Sequence, residues 1–473
     1  MKTGDRHERS AAGAQDPRKV DPRLREKYDV RGPRYTSYPP ATQFGPLDAE
    51  ELFARWRSRN GLADDPGLSL YLHIPFCRKR CLFCGCHTFA ARRDDVLDDY
   101  VDVLLREMDT AAGIVDPQRP VHQVAMGGGT PNHLGKASLA GLLAAMQRTW
   151  RITADAEQSV EINPRTSTPG KLDVFVDHGF NRFSLGIQDF SPRVLEIVRR
   201  DQGLMEVGEV IDHLRGRGIG SINFDLIYGL PGQTIESCLA TADKTIEFKP
   251  SRIALYSYAH VPWIHAHQKA LEEAGLPDAN SKASFFLSMM DRFTRAGYLP
   301  IGMDHFALPG DPLARALSDG SLRRNFMGYT TGRGLDVLAF GSSAISNVGA
   351  TYSQNDKSLA GYSEPVRAGR LPIVRGFLLN RDDELRRELI LELFCNFRVD
   401  LQGLSGRFSI DAAEYFSADL ERLEAMREDG LVDWSPQSIE VTREGRFFIR
   451  NICMTFDRYL EQDASRRVYS RTI

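Results

Sequence analysis

Three cysteines, Cys77, Cys81 and Cys84, follow the apolar run Leu68–Pro75 with the spacing C-x3-C-x2-C. No other feature narrows the possible folds as far. The run reads as a buried strand, and the loop leaving its C-terminal end has to gather three thiolates. Three clustered thiolates can hold three irons of a cubane iron–sulfur cluster, which normally takes four cysteines. The remaining iron is then open to another ligand, and an open position on a metal signals chemistry, as it does on zinc. A zinc site is one alternative, although structural zinc usually pairs C-x2-C knuckles with distant partners. A closed C-x3-C-x2-C-x-C set that includes Cys86 is another, although C-x-C ligation of a single cubane is sterically awkward. Cys238, Cys395 and Cys453 read as buried small hydrophobes.

From Leu68 onward, short β-rich segments alternate with amphipathic helical stretches, the pattern of parallel β/α units. Strands are predicted over 68–73, 121–126, 158–162, 182–187, 221–227 and 251–258. Val96, Tyr100, Val101, Leu104, Leu105 and Met108 recur at helical spacing, and Gly216, Gly218 and Gly220 stop a helix ahead of the fifth strand. Six units predict a complete or partial (β/α)6 barrel, with an open doubly wound sheet as the alternative. The cysteine loop, the turn Gly127–Pro131, Glu161, Gln188, Asp225 and the run Tyr258–His260 all fall at or near C-terminal strand ends. That is where β/α barrels build active sites, so these residues predict one shared pocket.

Each of these signals also has a plainer reading. The Gly127–Thr130 turn lacks the G-x-G-x-x-G dinucleotide spacing. Its consecutive glycines therefore mean either a tight turn or a close approach to backbone. Glu161, Gln188 and Asp225 could each cap a helix, or together accept hydrogen bonds from a ribose and an ammonium group. Arg200 could meet a ligand carboxylate or be a surface charge. His73, His122 and His260 read as packing or surface histidines, while His305 sits among chemically distinct neighbours in Met303–Phe306.

Residues 1 to about 30 read as a charged, mobile leader without the apolar stretch of a signal peptide, and Pro33–Pro40 as an ordered segment laid across another surface. Beyond about residue 370 the pattern changes. Helices over 383–399 and 411–429, a hairpin of Leu431–Trp434 and Ser438–Thr442, and a helix over 445–454 resemble a winged-helix module. Arg443, Arg446 and Arg450 could touch nucleic acid, but Glu440 and Glu444 nearby favour a solvated face. A net charge of −3, with no apolar run long enough to span a bilayer, argues against nucleic-acid and membrane partners. Seven cysteines, four of them between Cys77 and Cys86, do not suit a disulfide framework and fit a reducing cytoplasm.

The cysteine loop resembles that of the radical S-adenosylmethionine (SAM) enzymes. The fuller strings HIPFCRKRCLFCGCHTF, GGGTPNHL, LGIQDF, NFDLIYGLPGQT, IGMDHFALP, RNFMGYTT and RNICMTFDRYL closely resemble the oxygen-independent coproporphyrinogen III oxidases, from about Tyr28 to the C-terminus. The resemblance implies a partial (β/α)6 barrel of the radical SAM type over 51–365, an N-terminal extension over 1–50 that covers the active site, and a mainly helical, winged-helix-like domain over 366–473. It implies one 4Fe–4S cluster on Cys77, Cys81 and Cys84, with SAM on the fourth iron and a second SAM alongside. Tyr71, Phe83, Gly128, Gly129, Thr130 and Glu161 would line these sites, with Gln188, Arg200, Asp225, Ala259 and Ile345 at further matching positions. Cys86 matches an extra cysteine that is not a ligand in the family. Asn163 and Met327 depart from the Asp and Gln that relatives often carry there.

The implied reaction converts two propionates of coproporphyrinogen III to vinyl groups, giving protoporphyrinogen IX with loss of CO2. A 5′-deoxyadenosyl radical takes a hydrogen from a propionate carbon; Tyr71 and His305 are the candidate side chains beside that chemistry. Arg34 and Arg323 or Arg324 are the cations expected to meet substrate carboxylates. The expected partners are coproporphyrinogen III, an electron donor and an electron acceptor, for a cytoplasmic, monomeric enzyme. The alternative function is a haem-binding relative on the same scaffold that does not decarboxylate.

Overall fold

Six strands run parallel and pair in chain order: β1 (Leu68–Ile74), β2 (Val121–Gly128), β3 (Ile152–Ile162), β4 (Arg182–Gln188), β5 (Ser221–Tyr228) and β6 (Arg252–Ser257). An open doubly wound sheet would reverse its order at a switch point; no reversal occurs, so the arrangement is the barrel one. The arc does not close. Beyond β6 lie the antiparallel strands β7 (Leu299–Ile301) and β8 (His305–Ala307). On the far side of β1, β9 (Asp336–Phe340) adds in parallel, followed by antiparallel β10 (Ile345–Asn347), β11 (Thr351–Asn355) and β12 (Ile373–Leu378). The result is a partial barrel within one 12-stranded sheet. The computed structural model describes residues 21–332, 334–460 and 469–472, so most of the leader expected over 1 to about 30 lies outside the described residues.

Every predicted barrel strand is present, and only the third differs much in length, beginning at Ile152 rather than 158. The added residues lie on an irregular stretch of sheet, where the register against β2 shifts. Helices cover the outer face because their apolar stripes repeat at helical spacing: Asp94–Ala112 buries Leu97, Tyr100, Val101, Leu104 and Met108 against the sheet. The sheet continues to Leu378, past the point at which the sequence suggests a new domain, because Ile373–Leu378 pairs along β11.

The C-terminal module has a separate apolar core, built around Leu389, Leu393, Phe394, Leu404, Phe416 and Ile452. Its hairpin gains a third strand that the sequence reading missed: Arg398–Asp400 pairs with Ser438–Val441, which pairs with Val432–Trp434. The strand is only a few residues long, too short to show an alternating pattern. A mainly helical module with a three-stranded antiparallel sheet is the winged-helix-like arrangement expected.

The Pro33–Pro40 segment is ordered and packs Tyr35 and Tyr38 into this second core. Tyr35 donates to Asp457 at 3.0 Å, and Asn451 donates to the Tyr28 carbonyl at 2.8 Å. Arg450 is buried rather than on a solvated face: its guanidinium donates to the carbonyls of Gly32, Pro33 and Arg471. No helix among the described residues is long and apolar enough to cross a membrane.

Candidate active site

Strands β3 to β6 carry a polar or small residue at every second position, and an alternating residue on a barrel strand points inward. Glu157, Ser159 and Glu161, then Arg182, Ser184 and Gly186, then Asn223 and Asp225, then Arg252 and Tyr256 all line one cavity of about 920 Å³. The lower layer is an ion-pair network. Arg182 reaches Glu157 at 2.7 Å, and Arg252 reaches Asp311 at 2.8 Å. These charges support the barrel floor. The sequence reading missed them, although the two-residue period of polar positions was the signal available.

The upper layer holds the residues expected from the sequence. Glu161 and Asp225 both face the cavity. Burial, together with the Asp225 charge, lifts the Glu161 carboxyl to about 7, against the pull of the Gly128 N–H that donates to it at 3.2 Å. Burial likewise raises Asp225, while Ser184 at 2.8 Å and Asn223 at 2.9 Å donate to it and oppose the rise. None of Glu161, Gln188 and Asp225 caps a helix. The following elements are capped by Asn163, Ser191 and Thr234 instead. Gln188 adopts a left-handed backbone, φ 69°, as its strand leaves the sheet.

The glycine turn is required by the protein around it. A Cβ on Gly127 would lie 2.8 Å from the Glu161 carboxyl group, one on Gly128 2.5 Å from the His73 ring, and one on Gly129 2.7 Å from the Phe76 carbonyl oxygen. The backbone that approaches closely is therefore that of β1 leading into the cysteine loop. Thr130, at the end of the turn, lies 3.3 Å from the Cys77 sulfur.

All three cysteines of the loop face the same cavity. Burial pushes the Cys77 thiol up to about 11 and raises that of Cys81, whereas a hydrogen bond shared with Cys86 pulls Cys84 down to about 6. The loop is held from outside by Gln268, which donates to the Phe83 carbonyl at 3.0 Å, by His267 at 2.9 Å from the Cys84 carbonyl, and by the Leu82 N–H on Val198. Among the described residues no three His, Cys, Asp or Glu side chains converge on one point as a single ion requires.

Tyr71, Phe83, Gly128, Gly129 and Thr130 line the cavity, as do Gln188, Arg200 and Ala259. Ile345 does not; it packs beside the Phe44–Tyr352–Leu379 cluster. The Arg200 side chain donates to the Gly186 carbonyl and comes within 3.8 Å of the Cys81 sulfur. Asn163 lines the cavity with its backbone tied into a turn: its side chain accepts from Arg165 N–H, and its carbonyl accepts from Asn132. Met327 sits on the hairpin Arg323–Thr330 and also lines the cavity. His73 is buried, and that burial lowers it to about 4; it lies 3.1 Å from the Tyr71 hydroxyl. His122 is exposed, and His260 pairs with Tyr258 and Glu272.

His305 opens strand β8 rather than lying in a loop, and its Nδ1 is 2.7 Å from Asp304. Burial opposes ionisation of Asp304, yet His305 and the charges of Arg324 and Arg34 hold it down to about 2. Of the candidate substrate cations, Arg323 is paired with Glu388 and Glu392. Arg324 is sandwiched between Tyr329 and Phe394, with its Nε and Nη1 lacking hydrogen-bond partners. Arg34 lines the cavity with no ion pair or hydrogen bond among the described residues.

Comparison with known proteins gives the following. The profile of the Radical SAM superfamily matches residues 71–245, and that of the HemN C-terminal domain matches residues 379–448. The oxygen-independent coproporphyrinogen III oxidase of Salmonella typhimurium is 42% identical over 450 residues, 95% of this chain and 98% of that protein. The Escherichia coli protein of the same name is likewise 42% identical over 450 residues. The solved structure of coproporphyrinogen III oxidase (HemN) from Escherichia coli, described as a radical SAM enzyme, superposes with a TM-score of 0.86 at 41% identity, covering 90% of this chain and 98% of that one.

Proposed function

Because the chain belongs to the oxygen-independent coproporphyrinogen III oxidases of the radical SAM superfamily, we propose that it converts two propionates of coproporphyrinogen III to vinyl groups, releasing CO2 and giving protoporphyrinogen IX. The observation that carries this reading is the joining of the cysteine loop, the glycine turn and the Glu161–Asp225 pair in one cavity at the C-terminal end of the barrel.

A 4Fe–4S cluster and SAM belong to this superfamily, and the donor set fits them. Cys77, Cys81 and Cys84 are the thiolates that would hold three irons, and the cavity above them has unfilled acceptors in the carboxylates of Glu161 and Asp225. When bound, the reduced cluster and SAM supply a primary carbon radical strong enough to take hydrogen from an unactivated propionate carbon, which no side chain can do as acid or base.

The chain's own part is binding, orientation and exclusion of water. Glu161 and Asp225 offer acceptors for hydroxyl and ammonium donors, and Arg200 offers a cation beside Cys81. Tyr71 and Phe83 supply aromatic surface, and Gln188 and Ala259 complete the wall at the strand ends. Neutral His73 keeps the Tyr71 hydroxyl in place. A second SAM in the same cavity is part of this reading. Met327, on the lining of that cavity, would offer it a thioether where some relatives carry the amide of Gln, one polar contact fewer. Asp304 keeps His305 oriented toward Tyr256 and Tyr329, on the wall nearest Arg34.

The test is anaerobic. Protein reconstituted with iron and sulfide, given coproporphyrinogen III, SAM, a one-electron reductant and an electron acceptor for the electron left when CO2 departs, should release CO2 and 5′-deoxyadenosine and form the divinyl product. Tight haem binding with no CO2 release would support the haem-binding reading instead.

A further inference from the structure

A second cavity of about 1360 Å³ adjoins the first, and nothing in the mechanism above uses most of it. Separate stretches of chain enclose it: the loop after β6, helix Ala279–Arg295, the turn Gly445–Phe448 of the C-terminal module, and segments near both chain ends. The two cavities share Arg34, Ser257, Tyr258, Ala259, Val261 and His305, so they communicate along the end of β6.

The lining combines two properties. Phe286, Met290, Trp263 and Phe447 give it broad apolar faces. Its charge is strongly unbalanced: Arg34, Lys282, Arg443 and Arg446 all line it, and none has a carboxylate partner among the described residues. The carboxylates of the lining are already engaged, Asp291 with Arg295 and Asp304 with His305. Lys282 donates to the Tyr258 carbonyl at 3.0 Å, and burial together with the neighbouring Arg34 charge lowers its pKa. Half-buried Arg34 and Lys282, with exposed Arg443 and Arg446 beside them and no carboxylate partner, make a positive field that attracts an anion. A flat apolar body carrying several carboxylates answers both properties at once.

Resting on the reaction reading above, we propose that this second cavity holds the tetrapyrrole ring, with Arg34 on the shared wall gripping the carboxylate of the propionate presented to the first cavity, and Lys282, Arg443 and Arg446 meeting the remaining carboxylates. The shared wall then separates chemistry from recognition: SAM lies on the cluster side, and the macrocycle lies between barrel and C-terminal module. The arrangement also gives that module a role as one side of the substrate site. Arg450 does not compete for carboxylates, since backbone carbonyls of both chain ends occupy its donors; it positions the segment that carries Arg34.

The test uses the full chain and stable porphyrins as probes, read by fluorescence quenching at physiological salt. Coproporphyrin III has four carboxylates, protoporphyrin IX two, and coproporphyrin tetramethyl ester none. The proposal expects coproporphyrin III to bind at least tenfold tighter than protoporphyrin IX, with the ester weakest. Each charged hydrogen bond removed should weaken binding by about 10- to 100-fold. R34A and the double variant R443Q/R446Q should therefore lose affinity for coproporphyrin III while keeping SAM affinity, and R34K should recover part of the loss. Arg443 and Arg446 are exposed, but Arg446 also stacks on the core ring of Phe397 at 4.5 Å, so R443Q alone is measured beside the double variant and leaves that ring contact in place. In turnover, R443Q/R446Q should raise KM about tenfold or more and leave kcat within about twofold. Equal affinity for the three porphyrins, or an unchanged KM in the double variant and in R34A, overturns the cavity assignment and leaves the reaction reading intact. Charge-dependent coproporphyrin III binding with no CO2 release from coproporphyrinogen III overturns the reaction reading and leaves the cavity assignment standing.

Discussion

Glu161 shows how much a single side chain carries. It ends an inward-facing row on β3, a Cβ on Gly127 would strike its carboxyl group, and Asp225 crowds it from β5. A carboxylate placed beside another and given one backbone donor has acceptor capacity left over for a ligand. Glu161→Gln keeps the shape and removes the charge, so SAM affinity should fall about 10- to 100-fold, the worth of charge-assisted hydrogen bonds. Equilibrium dialysis on the cluster-loaded protein measures this; unchanged affinity would remove Glu161 from the site. Cys86 gives the complementary case. It shares a hydrogen bond with Cys84 and stands exposed at the loop, so Cys86→Ser should keep the iron and sulfide content that Cys84→Ala loses, as iron analysis after reconstitution would show.

At the scale of the element, the turn after β2 behaves as a packing joint. Gly129 has no room for a methyl group: the backbone of Phe76 sits 2.7–2.9 Å from where its Cβ would be, and backbone cannot swing aside as a side chain can. Gly129→Ala should cost at least the 1–3 kcal/mol typical of overpacking, and it should displace the strand that leads into Cys77. The expected result is a lowered melting midpoint together with poorer cluster loading; wild-type values for both would show that the turn yields. The barrel strands could be read from the sequence because they are short apolar runs bounded by turn residues, and the site residues because they cluster where those runs end. Other parts were not legible, the flanking strands 299–301, 305–307, 336–340, 345–347, 351–355 and 373–378 among them. Arg398–Asp400 is too short to carry a period. The Glu157–Arg182–Arg252–Asp311 network shows in the sequence as alternating polar positions, but which of those charges pair is set only by the curvature of the open barrel. The burial of Arg450 depends on both chain ends meeting over it.

For the whole molecule, the open barrel raises the question of what braces its β1–β9 side. Glu107, on helix Asp94–Ala112, is buried there and joins distant parts of the chain: Asn355 donates to it at 2.6 Å, Tyr362 at 2.7 Å and the Gly341 N–H at 2.8 Å. Those contacts tie the helix to strand β11, to the loop after β9 and to helix Leu359–Arg367. Burial nevertheless outweighs these donors and lifts the carboxyl from its ordinary 4.5 to about 7. A carboxyl raised on folding binds its proton more tightly in the native state. Its contribution to stability is therefore complete below about pH 4.5 and is lost as pH rises through 7, a change of about 3 kcal/mol. Glu107→Gln cannot titrate, and its amide NH2 would face donors, so the variant should be less stable than the wild type at pH 5. The gap should narrow toward pH 8, because only the wild type loses the proton-linked contribution. Chemical denaturation of both proteins between pH 5 and pH 8 measures the difference in slope. Parallel profiles would mean that Glu107 is already ionised in the folded protein, and that its three donors, rather than its burial, set the brace.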